Sequence, residues 1–202
     1  RGGVFANAVT GNLVIMGLRL ASGDAWGTLH GLCAVVAYGA GVLAANAIHA
    51  RYGHRRRVGW HQVVLWVEAA LLLVVVSLPN GAGDFAVAAV ISFVCALQVQ
   101  TFRRVHGLPF ASTMCTGNLR SGADALSAWL SGSDPNGLAK ARHYVCVIFC
   151  FVLGVVCGAL LLKRFGAHVF AVVPVMLGVV SLLVHRRPVA WLRYMGRILR
   201  RR

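Results

Sequence analysis

Apolar residues run along this chain in long blocks separated by short polar punctuation, with little of the alternation that marks a half-buried strand. Five blocks are long enough to span a bilayer, which takes about 20 residues of helix. They are Leu29–Ile48, Trp60–Leu78, Phe85–Phe102, His143–Leu162 and Ala167–Val184. Two further apolar stretches, Leu13–Ala21 and Leu119–Leu130, keep helical spacing but are too short to cross, and read as half-helices or re-entrant elements. The expected fold is all-α and polytopic.

Each short stretch follows the same motif. The chain reads FANAVTGNLVIMGL from Phe5 to Leu18 and FASTMCTGNLRSGADAL from Phe110 to Leu126, and both copies reach Thr-Gly-Asn-Leu. Thr and Asn are good N-cap residues, Gly tolerates unusual backbone angles, and the helix behind them offers free N–H groups and a positive dipole end. Thr10-Gly11-Asn12 and Thr116-Gly117-Asn118 are therefore expected to sit just ahead of their helices as caps, and they are the candidate substrate-binding residues.

The repeat extends beyond the motif. His30, Cys33, Gly41, Ala45, Arg51 and Gly53 line up with His143, Cys146, Gly154, Gly158, Arg164 and Gly166, every pair 113 positions apart. The motifs are 106 apart (Thr10 and Thr116), which places a longer linker in the second copy around Asp134-Pro135-Asn136-Gly137. The expected organisation is one membrane domain made of two repeats, 1–78 and 79–202, each with three helices and a half-helix.

Charge then orients the chain. Arg51 and Arg55–Arg57 follow the first span, Arg103 and Arg104 the third, and Arg186, Arg187 and a basic tail the fifth. By the positive-inside rule these regions and the C-terminus are cytoplasmic, which makes the two repeats inverted relative to one another. The symmetry also calls for a sixth span ahead of Arg1. The interior of such folds brings broken helices together near the bilayer midplane.

Composition agrees with a membrane protein: of 202 residues 58% are hydrophobic and 12% charged, against about 25% charged in soluble domains. The net charge of +15 is placed at the edges of apolar segments, where it suits anionic headgroups; no nucleic-acid motif accompanies it. Five of six cysteines lie in apolar runs with no metal-ligand spacing, so neither a disulfide framework nor a metal is expected. No cofactor site, Ser-His-Asp set, paired catalytic carboxylates or phosphate loop is present, and an enzyme is not expected.

One acid stands mid-span. Glu68 lies about 10 Å deeper than the Trp60–His61 end of its helix, where a charge costs roughly 2.5–3.5 kcal/mol on insertion scales. It is expected to be protonated, paired or facing a polar cavity, and it is the candidate proton-coupling group. Gln98 is deeper than Gln100 on the third span and is the candidate for the central site; Arg120, one residue beyond the second Thr-Gly-Asn-Leu, adds positive charge. Gly154 and Gly158 form a small-xxx-small face suited to helix packing.

The stretches FANAVTGNLVIMGLRLASGD and ALQVQTFRRVHGLPFASTMCTGNL resemble the two signature stretches of the YoaK-like bacterial membrane proteins, a family of unknown function. The resemblance implies about six spans, a first helix upstream of Arg1 and residence in the bacterial inner membrane; it implies no substrate. The functional expectation is a small inverted-repeat transporter or channel for a small anion or carboxylate solute, acting as a homodimer. The alternative is a non-transporting scaffold or assembly partner.

Overall fold

The computed structural model describes residues 7–53, 59–77, 84–105, 108–110, 112 and 114–183. The basic loop at 55–57, the loop at 78–83, the basic tail from 184 and the motif residues Phe5, Ala6, Ala111 and Thr113 lie outside the described residues. The order is α1 (Val9–Ala21), α2 (Ala25–Tyr52), α3 (Trp60–Ser77), α4 (Asp84–Thr101), a two-stranded ladder of β1 (Arg104–Val105) and β2 (Leu108–Pro109), α5 (Cys115–Leu130) and α6 (Gly137–Phe165). A 3-10 turn, Gly166–Ala171, leads into α7 at 172–183.

The helical fold class holds, with one small exception: β1 and β2 pair antiparallel, Arg104 opposite Pro109 and Val105 opposite Leu108. Of the five expected spans, α2, α3 and α6 are long and apolar enough to cross a membrane by length and composition. Phe85–Thr101 and Val169–Leu183 are shorter apolar helices within the described residues. α2 and α6 outrun the sequence expectation, at 28 and 29 residues. They rise about 42–44 Å at 1.5 Å per residue, more than a hydrocarbon core of about 30 Å. Their extra turns carry polar starts: Asp24 caps α2 by accepting from the Gly27 N–H at 2.9 Å.

α4 is the central helix. It packs along α2 and also against α3, and this three-helix contact holds the core of Ala45, Val64 and Leu97, with Ile48, Val67, Leu71 and Phe93 around it. A Cβ added to Gly41 of α2 would stand 2.5 Å from the Phe93 carbonyl oxygen and 2.8 Å from Ala96 Cβ, so the two backbones touch only because glycine is there. α7 lies on α3, where Trp66 Nε1 donates to Ser181 Oγ at 3.0 Å. The outer surface of α6 is apolar and open: Val145, Phe149, Val152, Val155, Val156 and Leu160 are all exposed, as lipid-facing side chains should be.

The two motif-bearing hairpins, α1–α2 and α5–α6, end their first helices in the same way. Ser22 N–H donates to Leu18, Gly23 to Leu20 and Asp24 to Arg19; Ser131 donates to Ser127, Gly132 to Trp129 and Ser133 to Ala128. Every donor and acceptor differs by 109 positions. Gly23 and Gly132 both take positive φ, 76° and 74°, where a Cβ would be strained. The expected longer linker is thus only part of the length difference. α5 has 16 residues against 13 in α1, which shifts the frame from 106 to 109 before the connecting turn begins.

Candidate functional site

The motif is not a cap. α1 begins at Val9 with Ala8 as N-cap, α5 at Cys115 with Met114, and neither cap residue makes a side-chain cap hydrogen bond. Thr10-Gly11-Asn12 and Thr116-Gly117-Asn118 lie within the first turn of their helices instead. The reason is tertiary. An Asn four residues into a helix points at whatever the helix packs on, and Asn12 and Asn118 are 2% and 3% exposed, at the α1–α2 and α5–α6 contacts respectively. Thr10 and Thr116 are exposed. Capping preference is worth about 1 kcal/mol and yields here to packing.

The hairpins keep their second helices close with glycine at corresponding places. A Cβ added to Gly31 would stand 3.2 Å from Met16 Cβ, and one added to Gly122 would stand 3.2 Å from Tyr144 Cβ. At the motif offset of 106 Met16 falls on Gly122, and at the histidine offset of 113 Gly31 falls on Tyr144. The large and small partners have exchanged helices.

Inside the three-helix core a polar centre joins α3 to α4. Glu68 is 1% exposed. With the Gln98 amide turned so that its nitrogen faces the acid, Nε2 donates to both carboxylate oxygens, at 3.0 Å to Oε1 and 2.7 Å to Oε2. Among the described residues no cationic side chain pairs with Glu68. Gln98 turned the other way offers a carbonyl oxygen to a protonated acid, so one neutral amide can serve either state of the carboxyl by rotation. Above this pair, the Ser92 hydroxyl on α4 is fully buried and without a partner. Gln100 points away from the core and donates to Asn46 Oδ1 on α2 at 2.7 Å, in keeping with two residues two apart on a helix facing differently.

Glu68 and Gln98 are therefore brought together, while the other candidates are distributed. α1 packs on α2 and α5 on α6, and the two motif helices share no extensive contact. Arg120 is on the exposed side of α5, 3.9 Å from Asp124 one turn on, an arrangement that solvent screens. Arg19 lies over Gly27 beside Asp24. Among the described residues, no group of three or more His, Cys, Asp or Glu side chains could hold a metal ion.

A helical chain with apolar outer faces, spans of membrane length and an acid sealed among them is an integral membrane protein. More narrowly, the chain belongs to the DUF1275 family, described as proteins of unknown function, whose family model matches residues 1–183. No curated protein and no solved structure matches it.

Proposed function

We propose that the protein is a small proton-coupled carrier for an anion or carboxylate-bearing solute, resident in the bacterial inner membrane with its C-terminus in the cytoplasm. The observation that carries the reading is the Glu68–Gln98 pair: a carboxyl sealed in a membrane helix, held by a reversible neutral partner and, among the described residues, by no cation. Intramembrane acids are expensive and mark proton and ion pathways. An amide that fits both protonation states lets the proton leave and return without leaving a buried group unsatisfied.

The two hairpins support an inverted arrangement. Arg51 at the end of α2 and Arg103 and Arg104 after α4 belong to one basic side, so under the positive-inside rule α2 runs toward the cytoplasm and α6 away from it. Thr10-Gly11-Asn12 and Thr116-Gly117-Asn118 then occupy the positive ends of helices entering from opposite sides, where an anion would be favoured. Arg120 adds charge at the second. Pairing of two chains along α6 would brace so small a carrier.

The test is proton movement in proteoliposomes carrying a pH dye, driven by gradients of small inorganic anions and carboxylates. Anion-dependent acidification with the native protein, lost in Glu68→Gln, is the expected result. Transport by Glu68→Gln with the native proton stoichiometry would refute the coupling role. Absence of flux with every anion tested would leave the scaffold reading in its place.

A further inference from the structure

At the basic end of the three-helix core, one turn beyond Gln98, a cavity of about 540 Å³ opens between α2, α3 and the α4–β2 connection. We infer that this cavity is a binding site for a phosphate ester, with Arg103 and Arg104 holding the phosphate and Trp60 and Phe102 flanking the organic body. The inference rests on the cavity alone and is independent of transport.

Four observations carry it. First, the charge is one-sided. Arg103, Arg104, His49 and His61 line the cavity, and among the described residues no carboxylate does. Among the described residues neither arginine has an acidic partner, and the whole chain has only five Asp and Glu. Two guanidinium groups left unneutralised at one mouth suit an anion they can hold with paired N–H donors. Second, there is a spare hydroxyl. Thr101 lines the cavity, is 5% exposed, and its Oγ1 has no hydrogen-bond partner. A buried polar atom left unpaired costs about 1–3 kcal/mol unless something supplies the partner.

Third, the walls are aromatic. His49 meets Trp60 edge-on at 4.7 Å between centroids, Trp60 lies 4.1 Å from His61, and His61 lies 5.6 Å from Phe102. The Asn46–Gln100 hydrogen bond fixes the facing side. Fourth, the volume falls in the range of about 300–1,000 Å³ typical of small-ligand sites and is far larger than an inorganic anion needs. A bare phosphate would leave the aromatic wall unused, whereas a phosphate ester uses both. The end of the bundle that carries these arginines is also the end that an anionic membrane surface attracts, so the ester can come from a phospholipid headgroup or from solution.

Glycerol phosphate chemistry tests both sources with one headgroup. The full chain is placed in phosphatidylcholine nanodiscs and titrated calorimetrically with glycerol 3-phosphate; in parallel, discs doped with phosphatidylglycerol are analysed by native mass spectrometry for retained lipid. Saturable binding in the first arm identifies a soluble ester, selective retention in the second identifies a lipid, and either supports the site. In the arm that binds, Arg103→Gln with Arg104→Gln should weaken binding at least about tenfold and Thr101→Val about threefold or more. Arg51→Gln, on the same side but outside the cavity, should change it less than about twofold. Binding in neither arm overturns the inference. So does equal loss in Arg51→Gln and the Arg103/Arg104 variant, which would mean diffuse surface attraction. The arginines are exposed, so their variants should keep the native melting temperature without ligand; Thr101→Ser, which retains the hydroxyl, should bind as the native protein does.

Discussion

Replacing Gly41 by alanine should damage this protein, whereas the same change at Gly154, its counterpart 113 positions on, should not. A methyl group at position 41 would meet the Phe93 carbonyl oxygen at 2.5 Å, Ala96 Cβ at 2.8 Å and the Phe93 carbonyl carbon at 3.2 Å. None of these is the end of a flexible side chain, so relief requires α2 and α4 to separate along the largest helix contact in the structure. Overpacking of this kind costs about 1–3 kcal/mol, and backbone obstruction puts it near the top of that range. Alanine returns about 1 kcal/mol of helix propensity, leaving a net loss of about 2 kcal/mol. At Gly154 nothing lies within 4 Å of the added methyl, so only the propensity gain of up to about 1 kcal/mol remains. The two variants should therefore differ by about 3 kcal/mol. Reversible unfolding in mixed detergent micelles, followed by circular dichroism, measures both. Variants within about 0.5 kcal/mol of each other would refute the close α2–α4 approach.

Three further outcomes follow from the same geometry. Gln98→Leu should destabilise the fold by about 1–3 kcal/mol because it strips Glu68 of its partner, and the Glu68→Leu/Gln98→Leu pair should recover part of the loss; additive losses in that double-mutant cycle would show that the two groups do not interact. Gly23→Ala and Gly132→Ala should each cost about 1–2 kcal/mol, since both residues sit at left-handed φ, and equal melting temperatures in both variants and the native protein would contradict the turn geometry. Outside the membrane, the hydrogen bond from Lys140 Nζ, and then that from the Asn136 N–H, hold the Asp134 carboxyl below its usual range. A lowered folded-state value means a contribution present above the ordinary carboxylate range and lost as pH falls through the folded value. Once the intrinsic pH dependence of amide exchange is divided out, protection across 131–137 should accordingly fall on acidification in the native protein and stay level through the same change in Asp134→Asn.

Much of the helix plan was legible because bilayer thickness leaves few alternatives: α3 was expected from Trp60 to Leu78 and runs from Trp60 to Ser77. The ends of α2 and α6 were not, because hydropathy marks where lipid stops and the helix continues for another turn into polar sequence, held by Asp24 at one end and by backbone hydrogen bonds such as Gly53 to His49 at the other. Thr-Gly-Asn resembles a cap in sequence yet lies inside its helix for a related reason. Capping is a local preference of about 1 kcal/mol, whereas burial of Asn12 and Asn118 depends on a second helix that the local sequence does not display. Glu68 and Gln98 were each visible as polar residues out of place. Their pairing was not, since it depends on the rotation of α3 against α4. The cavity at Arg103 and Arg104 is hidden further, because its lining comes from three helices and both two-residue strands.

The exchange of Met16 and Gly31 for Gly122 and Tyr144 bears on how far the two hairpins are equivalent. A helix hairpin needs a fixed turn and a fixed spacing, and both recur: three hydrogen bonds of each turn match at an offset of 109, and each hairpin has one glycine whose added Cβ would stand 3.2 Å from a large partner's Cβ. What spacing does not fix is which helix supplies the glycine, because one large and one small side chain fill the same gap in either order. A comparison by residue type therefore loses the correspondence at the contact, although it survives in the turn and in the buried asparagines. The hairpins diverge in what the second helix leans on. α2 sets Gly41 against α4 and so against the helix that carries Gln98, while the matching Gly154 of α6 has nothing within 4 Å. The acid–amide centre is thus built on one hairpin's neighbours alone, and the hairpin similarity by itself calls for no second copy of it.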